Sequence, residues 1–277
     1  MDSTLISKIP NWSESLLDQV REYYMDYYHR ELGIPSWESN VNARLNEERL
    51  FAIPNIERIS RWCPMELVGK KVLIVGGGTG AEMVILHLMG CDVTVIEPYA
   101  PAVEILREKA RVVGISQDQI HQLGAEKMSF DSGSFEFIYC FTVLEHVQHV
   151  GHSLDEMCRV LAVDGWLYLV TPDYRQVFEP HYKVWILPFS PRWLMALQLK
   201  LRGRKTDFLY TLQLVNSRKL MKYFQRQPVE AMQIIHSWPQ AILSSTKIAE
   251  KFLVCLADYL SIQRDQYWLV RKLPQKR

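Results

Sequence analysis

A surplus of charge of either sign is missing: 32 basic residues stand against 31 acidic ones, a net charge of +1. A chain without a net field does not gather nucleic acid or anionic lipid non-specifically, so a small molecule is the expected partner and a nucleic acid is not. Cysteine is scarce and unpatterned. Cys63, Cys91, Cys140, Cys158 and Cys255 include no C-x-x-C pair, and three of them lie inside apolar runs, which favours buried thiols in a reducing compartment over disulfides or a zinc site. No metal-ligating set is expected. No stretch reaches the roughly 18 uninterrupted apolar residues of a membrane span, and "MDSTLISKIPNWSE" lacks a basic region followed by an apolar core. These absences point to a cytoplasmic protein without stable membrane insertion. Internal repeats and low-complexity tracts are also missing, and 277 residues suit one α/β core with additions. Nothing in the composition sets the oligomeric state.

What is present is concentrated in "KKVLIVGGGTGAEMVILHLMGCDVTVIE", Lys70 to Glu97. An apolar strand runs into glycines, then a helix, then a second strand ending on an acid. Such a loop presents unpaired N–H groups at a helix N-terminus, and glycine lets a ligand approach without meeting a Cβ. An acid closing the next strand can accept hydrogen bonds from ribose hydroxyls, and Glu97 follows Gly76 by 97 − 76 = 21 positions. The motif therefore predicts an adenosyl ligand. Gly76, Gly78 and Ala81 fit the G-x-G-x-x-A spacing of a dinucleotide site, while Gly76, Gly78 and Gly80 fit the G-x-G-x-G spacing of a methyl-donor site.

Helical periodicity predicts a helix capped by Asn11 or Ser13 and running to about Glu31, and a second from about Glu38 to Cys63, interrupted or kinked near Pro54. Strands are then expected at Val72–Val75, Val93–Glu97, Ile120–Leu123, Phe135–Phe141 and Gly165–Pro172, alternating with helices at Ala81–Met89, Ala100–Val113 and Ser153–Leu161. That alternation predicts a parallel, doubly wound, Rossmann-like α/β sheet. After Pro172 the regular pattern stops, and the proline- and aromatic-rich stretch 174–216 reads as a cap insertion. A helix from Ser217 to about Arg226, a strand at Val229–His236, a helix at Thr246–Leu260 and a last strand at Gln266–Lys272 complete a seven-stranded sheet. The expected organisation is a helical lid over 1–68 and a core over 69–277.

Four ordered stretches resemble the class I S-adenosylmethionine-dependent methyltransferase superfamily. Its V-L-D-V-G-x-G-x-G pattern lies over "VLIVGGGTG", "GDAExLPF" over "LGAEKMSF", "FDxVxxxxVLEHV" over "FEFIYCFTVLEHV", and "LxPGGxLxxxTPN" over "LAVDGWLYLVTPD", covering about Val68 to Asp173. The resemblance implies S-adenosylmethionine as the cofactor. It assigns Gly76, Gly77, Gly78, Thr79 and Gly80 to its methionine and ribose side, Glu97 and the adjoining Pro98 to the ribose, Ala125 and Glu126 to the adenine, and Cys140 and Phe141 to backbone contacts beneath it. Two positions depart from the pattern: Ile74 stands where the family places an acid in strand one, and Gly124 where it places one near the adenine.

Methyl transfer from a sulfonium needs alignment and exclusion of water more than help for the leaving group. An alcohol acceptor must also lose a proton, for which an imidazole is suited. His146 in "LEHV" is the first candidate base, against a plain role at a helix start; His149 and His152 follow as loop histidines. His181 in the cap is a candidate for base or substrate contact, and Asp173 stands at the carboxyl end of strand five, as a site residue or a turn residue. Tyr23, Tyr27, Tyr182 and Trp185 are candidates to line an apolar acceptor pocket, though helical spacing also suits plain packing. Val184 to Leu201 reads as an active-site cap, with a membrane-interface helix as the other reading. The similarity to small-molecule O-methyltransferases of secondary metabolism, acting on polyketide- or peptide-type products, favours oxygen as the acceptor. N- or C-methylation, a nicotinamide-dependent oxidoreductase and a non-catalytic adenosyl-binding protein are the competing readings.

Overall fold

The apolar runs expected as strands pair into one sheet in the computed structural model, which describes residues 3–234, 255 and 264–274. Strands β1 (Lys71–Val75), β2 (Asp92–Ile96), β3 (Ile120–His121), β4 (Phe135–Phe141) and β5 (Leu161–Pro172) lie parallel. A hairpin of β6 (Phe178–Glu179) and β7 (Val184–Trp185) forms a separate small sheet. β8 (Val229–Ile234) and β9 (Asp265–Lys272) complete the main sheet in the order β3-β2-β1-β4-β5-β9-β8, with β9 antiparallel to both of its neighbours. Its central strands are buried on both faces, which is why they read as unbroken apolar runs rather than alternating ones. The helix expected over Thr246–Leu260 lies outside the described residues.

Helices α1 (Ser3–Ser7), α2 (Glu14–Met25), α3 (Trp37–Arg44) and α4 (Ile53–Trp62) precede β1; α5 (Ala81–Leu88), α6 (Ala100–Val113) and α7 (Val150–Val160) alternate with strands; α8 (Arg192–Lys200), α9 (Asp207–Thr211) and α10 (Ser217–Phe224) follow β7. Ser13 caps α2, its hydroxyl accepting from Leu16 N at 3.2 Å. The expected long helix over Glu38–Cys63 is divided instead. The division falls in the turn at Leu45–Asn46, and a π-helical segment over Glu48–Ala52 then runs straight into α4, so the chain departs from α geometry just before Pro54. Asn216, not Ser217, caps α10, accepting from Lys219 N at 3.1 Å.

One apolar cluster lies on each face of the sheet. A third joins lid and cap: Leu16, Val20, Tyr24 and Tyr28 pack with Tyr182, Val184, Met195 and Phe208. At about 1.5–3 kcal/mol per fully buried large side chain, that shared core packs the helices before β1 against the segment after β5. The cysteines are all unpaired, four of them buried, and no helix of the described residues is long and apolar enough to cross a membrane.

Candidate functional site

The glycine loop is closed by the strand beside it. The N–H groups of Gly76 and Gly77 donate to the Ile96 carbonyl at 2.9 and 3.1 Å. Gly76 has φ 74°, and a Cβ there would stand 2.3 Å from Val143 Cγ2, so neither the conformation nor the space admits another residue. Gly78, at φ 50°, faces open space, the cradle that a Cβ would fill. Glu97 is buried at the end of β2, accepting from Gly78 N at 2.9 Å and Tyr99 N at 3.0 Å. Burial pushes its carboxyl up from the ordinary value, against those two bonds. Loop, open cradle and terminal acid fit an adenosyl ligand. Pro98 follows at the surface, and Ala125 is buried. Glu126 accepts from Gln148 N at 2.7 Å; Cys140 is fully buried and Phe141 ends β4 half-buried, stacked on Tyr139.

Thr79 turns toward the lid. Its hydroxyl donates to Glu47, and Tyr24 donates to the same carboxylate at 2.8 Å. Lys109 of α6 donates to Glu47 at 2.8 Å and to Glu48 at 2.7 Å, and all three are almost wholly buried. Burial alone would raise the Glu47 carboxyl, but the charges of Lys109 and Arg44 outweigh it and hold it below the ordinary value. This network pins the lid to the glycine loop. Ile74 is packed in the core and pairs with Tyr139 of β4. The Tyr139 hydroxyl donates to Glu82 Oε1 at 3.0 Å, and Asn55 Nδ2 of the lid reaches it at 3.4 Å. Glu82, in the first turn of α5, thus bonds the strand partner of Ile74, the position where strand one lacks an acid. Burial, and then the charge of Glu47, push its carboxyl up.

At the mouth of β4 the chain turns through Thr142 at φ 53°, a strained conformation for a β-branched residue. Glu145 follows, fully buried; Oε2 accepts from Thr171 at 2.9 Å, while Oε1 has no hydrogen-bond partner. His181 Nε2 stands 3.7 Å from Oε1 and His146 Nε2 3.9 Å from it. The other His181 nitrogen, Nδ1, bonds Glu179 at 2.7 Å. Although burial opposes it, the charges of Glu179 and Glu145 push the His181 pKa up to about 10, making it an imidazolium between carboxylates. Burial lowers the pKa of His146, against the pull of Glu145. The His146 side chain nevertheless keeps 36% of its surface accessible. Phe208 packs beside it, with ring centroids 5.7 Å from His146, 5.5 Å from His181 and 5.7 Å from Tyr27. By donor type and spacing, Glu145, His146 and His181 are also the group able to hold a cation, their ligand atoms all within 4.8 Å.

The structure thus brings His146 and His181 together. Asp173 is separate: it is buried in a bidentate pair with Arg175, Nη2 to Oδ2 at 2.5 Å. His149 and His152 lie exposed against each other at the start of α7. Tyr23 lies by Tyr99, next to Glu97, and Tyr27 by Phe208. Tyr182 is fully buried, its hydroxyl accepting from Leu209 N at 3.1 Å, and Trp185 packs on Phe178 in the small hairpin. Glu179, Phe208, Glu82 and Glu47 were not singled out in the sequence, and Glu145 was named only as a bonding partner for His146. An acid inside the apolar run "FTVLEHV" and another two residues before His181 were the available signals.

Residues 44–232 match the family model described as a methyltransferase domain. A curated relative named ubiquinone biosynthesis O-methyltransferase, from Methylocella silvestris, is 31% identical over 119 residues, 43% of this chain and 45% of that protein. One of the same name from Glaesserella parasuis is 32% identical over 110 residues, 38% and 46% of the two chains. The chain therefore spans just under half the length of the curated relatives it matches. Among solved structures, geranyl diphosphate C-methyltransferase from Streptomyces coelicolor, in complex with Mg2+, geranyl diphosphate and S-adenosyl-L-homocysteine, has a TM-score of 0.56 at 16% identity, covering 94% of this chain and 98% of that one. A possible histamine N-methyltransferase from Thermotoga maritima has a TM-score of 0.52 at 15% identity, covering 84% and 95%. At those identities the likeness is one of fold.

Proposed function

The chain belongs to the class I S-adenosylmethionine-dependent methyltransferase family, and from that premise we propose that it methylates an oxygen of a small, largely apolar acceptor in secondary metabolism. One observation carries the reading: the His146 side chain is 36% accessible beside Phe208, which itself packs on Tyr27, in the turn after β4 whose Val143 stands against Gly76 of the glycine loop. When bound, S-adenosylmethionine supplies a methyl group on a sulfonium, and transfer to the acceptor oxygen leaves S-adenosylhomocysteine. Glu97 would hold the ribose hydroxyls, Gly76 to Gly80 the methionine and ribose side, the backbone about Ala125 and Glu126 the adenine, and the backbone of Cys140 and Phe141 would add further contacts. Glu82 receives the ammonium of the amino-acid end, in place of the acid that Ile74 replaces.

His146 takes the hydroxyl proton at Nδ1, the ring nitrogen other than the one nearest Glu145. Glu145 stands on its Nε2 side, and Phe208 and Tyr27 offer apolar surface to the acceptor. The ubiquinone O-methyltransferase relatives support oxygen over nitrogen or carbon, which the fold by itself does not choose. Replacing His146 with Gln should lower turnover about 10²-fold or more with S-adenosylhomocysteine affinity kept. Undiminished turnover would remove His146 from the reaction.

A further inference from the structure

The cap carries an apolar surface that its own core does not use. On α8, Met195, Ala196 and Leu199 are buried against lid and cap. The opposite side is apolar too: Trp193 is 67% exposed, Leu197 48% and Leu201 77%, at i, i+4 and i+8, one stripe along the helix. Leu187 and Phe189, at 53% and 52%, extend the stripe into the preceding loop. Phe189 is held out at φ 57°, a conformation a bulky residue avoids unless its surroundings impose it. A helix apolar on both sides is expected to have a second apolar surrounding.

The charge around the stripe says what that surrounding is. From Leu187 to Thr206 the chain holds Arg192, Lys200, Arg202, Arg204 and Lys205 and no acid, against +1 for the whole chain. Their hydrogen bonds go to backbone carbonyls: Arg192 to Tyr210 and Leu212, Arg202 to Gln198, Arg204 to Gly33, Lys205 to Arg30. Among the described residues none of the five forms an ion pair with a carboxylate, so their charge stays uncompensated.

We propose that this face of the cap docks on an anionic lipid bilayer, with Trp193, Leu197, Leu201, Leu187 and Phe189 in the acyl boundary and the five cations among the headgroups. The inference rests on the acceptor reading above and narrows it. α9, which follows this face, carries Phe208, whose ring packs beside His146, so an acceptor dissolved in the bilayer is delivered next to the proposed base. Docking is peripheral, and the near-neutral total charge conceals it because the five cations fall within one short stretch of chain, Leu187 to Thr206.

Flotation of the full chain with phosphatidylcholine vesicles, with and without about one-third phosphatidylglycerol, tests it. Binding is expected to the anionic vesicles and to weaken as salt is raised. Trp193→Ser with Leu201→Ser should lower partitioning about 10²-fold, and Lys200→Gln with Arg202→Gln about tenfold or more. Val163→Ser, an equally exposed apolar site away from the cap, should leave partitioning unchanged. Melting temperature and S-adenosylhomocysteine affinity should be the same in every variant, since none of these residues lies in the site. No binding at millimolar anionic lipid overturns the proposal, as does a dimer, seen by light scattering, that the Trp193/Leu201 variant dissolves. Failure to bind vesicles with oxygen methylation intact sinks this inference alone; vesicle binding without oxygen methylation sinks the acceptor reading.

Discussion

If Glu82 receives the ammonium of the donor, neutralising it should weaken only ligands that carry that ammonium. Glu82→Gln is nearly isosteric and retains an oxygen to accept from Tyr139, now at 3.0 Å, so the fold need not change. A hydrogen bond to a charged group contributes about 1.5–3 kcal/mol, which is roughly 10- to 150-fold in Kd. Glu82 is only half-buried, so the lower half of that range is expected. The assay is calorimetric titration with two ligands: S-adenosylhomocysteine, which has the amino-acid end, and 5′-methylthioadenosine, which lacks it. The first should lose about 10- to 30-fold and the second less than about twofold. Equal losses would mean that Glu82 supports the loop as a whole, and no loss would mean that the ammonium goes elsewhere; either result refutes the assignment. The pH dependence has a definite sign. Burial and the charge of Glu47 raise the Glu82 carboxyl, and an ammonium binds the ionised form, so affinity should fall as pH drops through that raised value, and the Gln variant should lose this dependence.

Lys109→Met leaves Glu47 and Glu48 buried without their cation and should cost about 3–5 kcal/mol in urea denaturation. Because the folded Glu47 carboxyl is held below its ordinary 4.5, its contribution is complete above that value and is lost as pH falls through the lower, folded one; Glu47→Gln should flatten the acid limb of the stability curve. Gly76→Ala and Gly69→Ala share φ 74°, but only the first brings a Cβ within 2.3 Å of Val143, so Gly76→Ala should be the worse by about 1–3 kcal/mol in thermal denaturation. Glu145, His146 and His181 are spaced to hold a cation; with His146 as the base, prolonged chelation should leave turnover unchanged, and loss restored by Zn2+ or Mn2+ would move the proton's destination from His146 to a cation held by those residues.

The parts legible in the sequence are those in which a local pattern and its tertiary role coincide. Val72–Val75 is apolar throughout because β1 is covered on both faces, and Gly76 is glycine because φ and Val143 both require it. Both facts are written within a few residues of where they act. Glu47, Glu48 and Lys109 look like the solvated charges of two helices, and only the closing of the lid, which brings residues 109 − 47 = 62 positions apart together, turns them into a buried network. His181 and Glu145 are likewise 181 − 145 = 36 positions apart, and no spacing rule links a strand mouth to a hairpin in a cap. The same argument explains α8. Its sequence suits a cap helix and an interface helix equally, because one side of it is the first and the other side is the second. Which residues face the lid is decided by Met195 and Leu199 packing on a core that residues 16–41 supply, and the stripe at Trp193, Leu197 and Leu201 is what that choice leaves outside. Burial of one face of the cap over the site and exposure of the other are therefore a single structural fact, and a substitution such as Leu199→Ala, which loosens the buried face, should disturb vesicle binding and acceptor turnover together, whereas Leu201→Ser should touch only the first.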